Sequence, residues 1–321
     1  SPDAAPDAAP DAAPDAEPPI EAGACSADHW CRTPLPSQDL ELRAVWSFST
    51  DDAIAVGTAG AIQWNGTSWS VVSSPEVSLE GLTGLWATGP NDIWGTEESS
   101  TRIVHGSRTA PGAPFQWKEL TGYSFPFPVS FLRSTGPRDL WGLARWPSSS
   151  VYLVHGVLPD ADEPGEPVWT TTALPLSIGW DFTVNGFAIT ENREVWIGGH
   201  VESWWCWVIS NLGYASEPIT KPTVNYRRKT GGNGSAAWSS VPNNSSANAV
   251  AVWGSGKDDV WTVGTSGAIR RWNGTNWSTS RISVNGMPLF KDLAAIHGSS
   301  ANDIWAVGNG IALHRAIGGA P

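Results

Sequence analysis

Methionine and cysteine are nearly absent from this sequence: 321 residues hold one Met and three Cys. Three scattered thiols make no disulfide-dense scaffold, and with no Cys-x-x-Cys pair they offer too few ligands for a structural zinc. Charge is sparse as well, at 16% of residues, and it leans acidic. Of the 31 acids, six (Asp3, Asp7, Asp11, Asp15, Glu17, Glu21) fall in the first 21 residues without a single Lys or Arg, leaving 25 acids against 19 bases in the remainder. Nucleic-acid binding needs a cationic face, so no nucleic-acid partner is expected. No apolar run approaches the ~18 residues of a membrane-spanning helix. No signal peptide is present, so any such segment is expected to have been removed. Enzyme signatures are missing too: there is no Gly-x-Ser-x-Gly elbow, no Walker loop and no His-Glu-x-x-His. A non-enzyme is expected, with no cofactor and no resident metal.

What the chain has instead is tryptophan and glycine, 21 and 34 residues respectively. The stretch Asn248–Ser278 shows how they are used. Val250-Ala251-Val252-Trp253, Val260-Trp261-Thr262-Val263, Ala268 to Trp272 and a run opening at Asn276-Trp277 are separated by Gly/Asn/Asp/Ser turns. Val, Ile, Trp and Thr between such clusters are what a pleated, half-buried surface selects. Asn273-Gly274 is a hairpin signal, since both residues tolerate positive φ. The unit is therefore a four-stranded antiparallel meander.

The meander recurs. Its marker is an acid, an aliphatic and then Trp: Asp92-Ile93-Trp94, Asp139-Leu140-Trp141, Glu194-Val195-Trp196, Asp259-Val260-Trp261 and Asp303-Ile304-Trp305. Asp52-Ala53-Ile54-Ala55 is a degenerate first copy. The strand before the marker carries Trp46, Trp86, Trp253 or His297. The third strand ends near Trp64, His105, His155, Trp272 or His314, and the fourth opens with Trp69, Trp117, Trp169, Trp238 or Trp277. The sixth copy stops after His314 without a fourth-strand Trp. Trp30-Cys31-Arg32-Thr33-Pro34 supplies the missing Trp-then-Pro pattern at the other end of the chain. An all-β, six-bladed β-propeller follows, closed by an N-terminal strand in the last blade, which removes an exposed edge. Over about residues 28–317 the chain resembles Trp-rich propeller repeats of the WD40 and tectonin kind. The order of residues within each repeat departs from both families, so the resemblance implies architecture and no ligand site.

Residues 1–24 are expected to be an extended Pro/Asp/Ala spacer, because Pro blocks ladders, the acids repel and little apolar surface can be buried. The propeller is expected over residues 25–321. The spacer resembles the low-complexity tether of bacterial surface lipoproteins, which implies an extracellular or cell-surface place, or a periplasmic one. A membrane would be met only through a lipid anchor missing from this chain. Cys25 and Cys31 are expected to form a disulfide clip in such a compartment. Cys206, among Trp204, Trp205 and Trp207, is expected to be a buried thiol.

A residue that recurs in one slot packs or turns the blade. On that ground the marker acids are expected to bond backbone N–H groups in the turn after the first strand. The repeat tryptophans should form inter-blade core, and His105, His155, His297 and His314 should be structural. The acidic run Asp160, Asp162, Glu163, Glu166 reads as a solvated loop rather than a Ca²⁺ site. Asn211 to Ala237, with Arg227-Arg228-Lys229, reads as a solvated excursion.

Subtracting the repeat leaves a remainder on one face, where loops between strands two and three meet the loops between blades. Blades two to four put there Tyr123, Phe125, Phe127, Trp180, Asp181 and Phe182 from inter-blade segments. Their strand-two-to-three loops add Glu97, Glu98, Arg102, Arg145, Trp146, His200, Glu202, Trp204 and Trp205. Exposed aromatic clusters of this kind bind ligands; alternatively, long loops carry their own small cores. Three readings stay open. The first is a binding module for glycan or protein, with Trp146, Trp180, Trp204, Trp205, Tyr123 and Phe125 as stacking groups and Glu97, Arg102, Asp181 and His200 as polar partners. The second is a structural docking platform in a cell-envelope complex. The third is a hydrolase assembled from loop residues such as His200 with Glu202 or Asp181. A monomer is expected in each case.

Overall fold

The structure is a computed structural model that describes residues 25–97, 102–120, 129–136, 139–145, 151–157, 168–173, 182–189, 195–201, 223–230, 236–242, 249–280, 282–284 and 287–318. These residues form six four-stranded antiparallel sheets and one small hairpin. Strand β1 (Trp30–Arg32) comes first in the chain but belongs to the last sheet. Blade one is β2 (Leu42–Ser49), β3 (Asp52–Gly57), β4 (Gly60–Trp64) and β5 (Trp69–Val71). Blade two is β6 (Leu82–Gly89), β7 (Asp92–Glu97), β8 (Ile103–Ser107) and β9 (Gln116–Leu120). Blade three is β10 (Val129–Gly136), β11 (Asp139–Arg145), β12 (Val151–Val157) and β13 (Val168–Ala173). Blade four is β14 (Phe182–Ile189), β15 (Val195–Val201), β16 (Thr223–Thr230) and β17 (Ala236–Pro242). Blade five is β18 (Ala249–Gly256), β19 (Asp259–Gly264), β20 (Ile269–Trp272) and β21 (Trp277–Ser280). The hairpin β22 (Ser283–Val284) and β23 (Met287–Pro288) precedes β24 (Leu293–Ser300), β25 (Asp303–Gly308) and β26 (Ile311–Ala316), which with β1 make blade six. The first strands β2, β6, β10, β14, β18 and β24 neighbour one another in turn, and β24 returns to β2. That ring is the β-propeller expected from the repeats.

Register shows why the N-terminal strand belongs where it does. Trp69 pairs with Trp64, Trp117 with Gly106, Trp169 with Gly156, Trp238 with Arg228 and Trp277 with Trp272. Trp30 pairs with Arg315 at the same point of blade six, so it is the sixth copy of the fourth-strand Trp. The Cys25–Cys31 disulfide ties the chain entering this strand back onto it. Cys206 lies outside the described residues.

Three of the outer Trp pack on the marker Trp of the preceding blade. Trp69 meets Trp305 edge-on at 4.9 Å, Trp30 meets Trp261 at 5.7 Å and Trp277 meets Trp196 at 6.4 Å. Trp196, Trp261 and Trp305 are buried as a result. T-shaped contacts of this kind let the positive edge of one ring meet the negative face of another. The two Asn-Gly turns are alike: Gly66 and Gly274 take φ near 93° and 94°. Asn65 and Asn273 do not take positive φ; their Oδ1 atoms accept N–H groups two and three residues on, an Asx turn that the hairpin reading missed.

The marker acids correct a second expectation. They accept chiefly from side chains. Asp259 takes Ser255 Oγ (2.6 Å), Trp261 Nε1 (3.0 Å) and Arg271 Nε (2.7 Å). Asp92 takes Thr88, Trp94 and His105, and Asp139 takes Trp141 and His155. Asp52 does receive a backbone N–H, that of Gly112 at 3.3 Å. The tight turn leaves the carboxylate pointing along its own sheet, where strand-two and strand-three side chains reach it first. A third correction follows from register. His105, His155 and His314 lie opposite the marker Trp, in the slot of Gln63, Arg227 and Arg271. Trp64 and Trp272 sit one residue further on, and in a pleated strand that is the opposite face. The same register corrects the excursion of blade four: Arg227, Arg228 and Lys229 lie on β16, an ordinary third strand, with Arg227 in the slot that Arg271 fills in blade five and Arg228 in the slot that Arg315 fills in blade six.

Candidate binding face

The loops between strands two and three do meet the inter-blade connections on one face. Backbone hydrogen bonds join them in series. Asn309 donates to Asp292 O (3.3 Å), Gly310 to Leu40 O (2.8 Å), Thr58 to Glu41 O (3.2 Å) and Gly81 to Gly57 O (3.1 Å). Close approach here dictates glycine. A Cβ on Gly57 would strike the carbonyl oxygen of Glu41, and one on Gly308 that of Asp292. Gly264 occupies the same register position in blade five.

Blade two breaks this rule at Glu97. Glu97 pairs with Leu82 just as Gly57 pairs with Leu42 and Gly308 with Leu293. The glycine has moved across the contact: Gly81, preceding β6, takes φ 76°, a left-handed conformation open to glycine at no steric cost. A carboxylate therefore stands where blades one, five and six have no side chain. Glu97 is half-buried, near Gly81, with no hydrogen-bond partner among the described residues. Arg102, its companion, is committed elsewhere. Its Nε bonds Glu119 Oε2 at 3.2 Å and its guanidinium also donates to the Ser78 carbonyl, pinning the loop of blade two to the connection from blade one. Arg102 thus anchors the loop.

His200 was expected in a loop and is instead the penultimate residue of β15, opposite Thr183 and Thr223. The β-branched Val201 beyond it carries the strand one residue further. Arg145 ends β11 and Phe182 opens β14. Tyr123, Phe125, Phe127, Trp146, Trp180, Asp181, Glu202, Trp204 and Trp205 lie outside the described residues, as does the acidic run 160–166. Among the described residues no cluster of His, Cys, Asp or Glu could hold a metal ion, and no helix is long and apolar enough to cross a membrane.

One feature of this face escaped the sequence reading. The connection between blades five and six carries Met287-Pro288-Leu289-Phe290, with Phe290 75% exposed. Asn285-Gly286 beside it is the same dipeptide that marks hairpins elsewhere in the chain. An Asn-Gly pair followed by an apolar run with no counterpart in the repeat is the signal that marks it in the sequence.

The Asp–His pairs sit on the opposite face and look superficially like acid–base dyads. His314 donates to Asp303 at 2.7 Å and stacks on Trp305 at 4.0 Å. Burial alone would raise the Asp303 carboxyl. Hydrogen bonds from His314, Ser299 and Ser47, together with the His314 charge, outweigh it and hold the group below its usual 3.8. At Asp92 burial is likewise outweighed, by His105, Thr88 and Trp94. The histidine position is filled by Arg271 in blade five and Gln63 in blade one. A slot that accepts His, Arg or Gln needs a hydrogen-bond donor, not a proton shuttle.

No family model and no curated protein sequence matches the chain. Solved structures do. A structure described as YCF48 bound to D1 peptide is similar over 92% of this chain and all of that one, with a TM-score of 0.54 and 12% identity. YCF48 from Cyanidioschyzon merolae covers 90% of this chain and 99% of its own, with a TM-score of 0.53 and 11% identity. The likeness is one of fold.

Proposed function

We propose that this chain is a non-catalytic binding module, working outside the cytoplasm, whose loop face takes a segment of another protein. The observation that carries this is the asymmetry of that face. The glycine rule holds in blades one, four, five and six and is broken at Glu97 of blade two, and the sequence assigns the large aromatics to blades two to four. A stabilising role does not require it, since blades close without such side chains. The peptide in the YCF48 structure supports the choice of protein as ligand, because a propeller of this shape is there bound to a peptide. The interchange of His, Arg and Gln beside the marker acids supports a scaffold rather than an enzyme. The Cys25–Cys31 disulfide supports an oxidising compartment, with residues 1–24 as a spacer to a cell-surface lipid anchor.

The test is photo-crosslinking in the native envelope, with a benzophenone amino acid placed at position 97 in one preparation and at 204 in another. A protein adduct formed from both, and lost when the probe sits at position 51 on the opposite face, is the expected result. Glycan-array binding without any protein adduct would replace the protein by a sugar ligand. Turnover abolished by His200→Ala would overturn the non-catalytic reading.

A further inference from the structure

We propose that the hairpin β22–β23, with the apolar run behind it, is a docking strand for an extended, cationic segment of the partner protein. This rests on the loop face being a protein-binding surface and names the partner's chemistry. The hairpin is held firmly at its base. Leu289 N–H donates to Ile282 O at 3.0 Å, and both side chains pack into the core shared by blades five and six. The loop Thr265–Gly267 of blade five buttresses it: Ser266 N–H donates to Asp292 Oδ1 at 2.7 Å, and Gly267 lies so close to the Leu289 carbonyl that a Cβ would collide. Beyond that base the ladder has only two pairs, Ser283 with Pro288 and Val284 with Met287, and no third strand among the described residues.

An unpaired edge accepts an extended backbone by strand addition. The edge at β23 is spoiled by Pro288, which has no N–H to give. That leaves Ser283–Val284 as the receiving edge. Phe290 stands 75% exposed just after the hairpin, placed to cover an apolar side chain of the incoming strand. Charge selects the occupant. Around the connections from blade five to blade two, Asp39, Glu76, Glu80 and Asp292 are exposed and Glu97 is half-buried. Of the described bases there, Arg43 pairs with Glu41 at 2.9 Å, Arg102 pairs with Glu119, and Arg32 donates to Gln38 at 2.9 Å. A strand bearing Lys or Arg is steered toward this surface and an acidic one is turned away.

The probe is a fluorescein-labelled ten-residue peptide of alternating Lys and Val, titrated into the full chain and followed by anisotropy. A Glu/Val counterpart and a Lys/Val peptide N-methylated at alternate residues serve as controls. The Lys/Val peptide should bind at least ten-fold more tightly than either control. Phe290→Ala should weaken it about ten-fold with melting unchanged. Equal binding of the Glu/Val peptide, or indifference to both N-methylation and Phe290→Ala, would overturn the proposal. A photo-reactive group on the peptide separates this failure from that of the wider reading. Adducts at residues 283–290 support the docking strand. Adducts confined to the loops around 146 or 204 overturn it while leaving the loop face as the binding surface. Adducts away from that face overturn both.

Discussion

The junction between blades six and one and the junction between blades one and two solve the same packing problem with different chemistry. At the first, Trp305 is fully buried against Trp64 and Trp69, at 5.2 and 4.9 Å. Hydrogen bonds cross it as well: Ser47 Oγ donates to Asp303 at 2.7 Å, Ser47 N–H to His297 Nδ1 at 3.1 Å, and His297 stacks on Trp46 at 3.8 Å. At the second, the marker Trp has become Ile54, and Trp117 and Phe115 of blade two close over it. The smaller Ile54 admits Arg108. This side chain is fully buried, bonds Asp52 at 2.5 Å and lies between the rings of Phe48 and Phe115 at 4.6 and 4.4 Å. Losing one indole is thus accommodated by a guanidinium, which brings its own requirement for a counter-ion. An aromatic junction fails through a cavity, whereas an ionic one fails through a stranded charge.

That distinction can be broken experimentally. Trp305→Ala and Arg108→Ala should each cost about 3–5 kcal/mol, the first from the cavity and the second from the uncompensated Asp52. Adding Asp52→Asn to Arg108→Ala should recover much of the loss, while no single partner change should rescue Trp305→Ala. Urea unfolding of the single and double variants decides this, and additive losses at Asp52 and Arg108 would show the pair to be uncoupled.

A smaller effect is set by pH. The Asp303 carboxyl is held below 3.8 in the folded chain, so its contribution is complete above the unfolded value and is lost as pH falls through the lower folded value. Stability should therefore drop on acidification below about 3.8, and Asp303→Asn should flatten that slope. Unfolding midpoints at pH 5 and pH 3 measure it; parallel slopes for wild type and Asp303→Asn would exclude this carboxylate as the cause.

Least of all, Ser47→Ala should cost about 1 kcal/mol, because it removes one buried hydroxyl from a carboxylate that keeps its other donors. A loss as large as that of Arg108→Ala would mean that the hydroxyl, not the indoles, holds blade one to blade six.

Legibility followed repetition. Five intact markers and a recurring fourth-strand Trp announced the blades, and Trp30 could be assigned to the last blade because the sixth copy lacked that residue. The histidine slot was misread by one position, since Trp64 and His105 both end a strand and only cross-strand register separates the two faces. Arg227 was misread because a charged triplet resembles a loop until its partner Trp196 is known. Arg108 gave no signal whatever: its role depends on a vacancy at Ile54, 54 positions earlier in the chain.

What the sequence alone determined was the local unit. Period-two apolar alternation, Asn-Gly turns and the acid-aliphatic-Trp marker each act within one blade, over distances that neighbouring residues control. Only the tertiary structure decided the contacts between blades. Glu97 could replace a glycine because Gly81 lies opposite it. Arg102 reaches the Ser78 carbonyl across the loop face, and β22 pairs with β23 alone among the described residues. Each depends on which residues the closed ring brings together, and side chains from different blades meet only once that ring has formed.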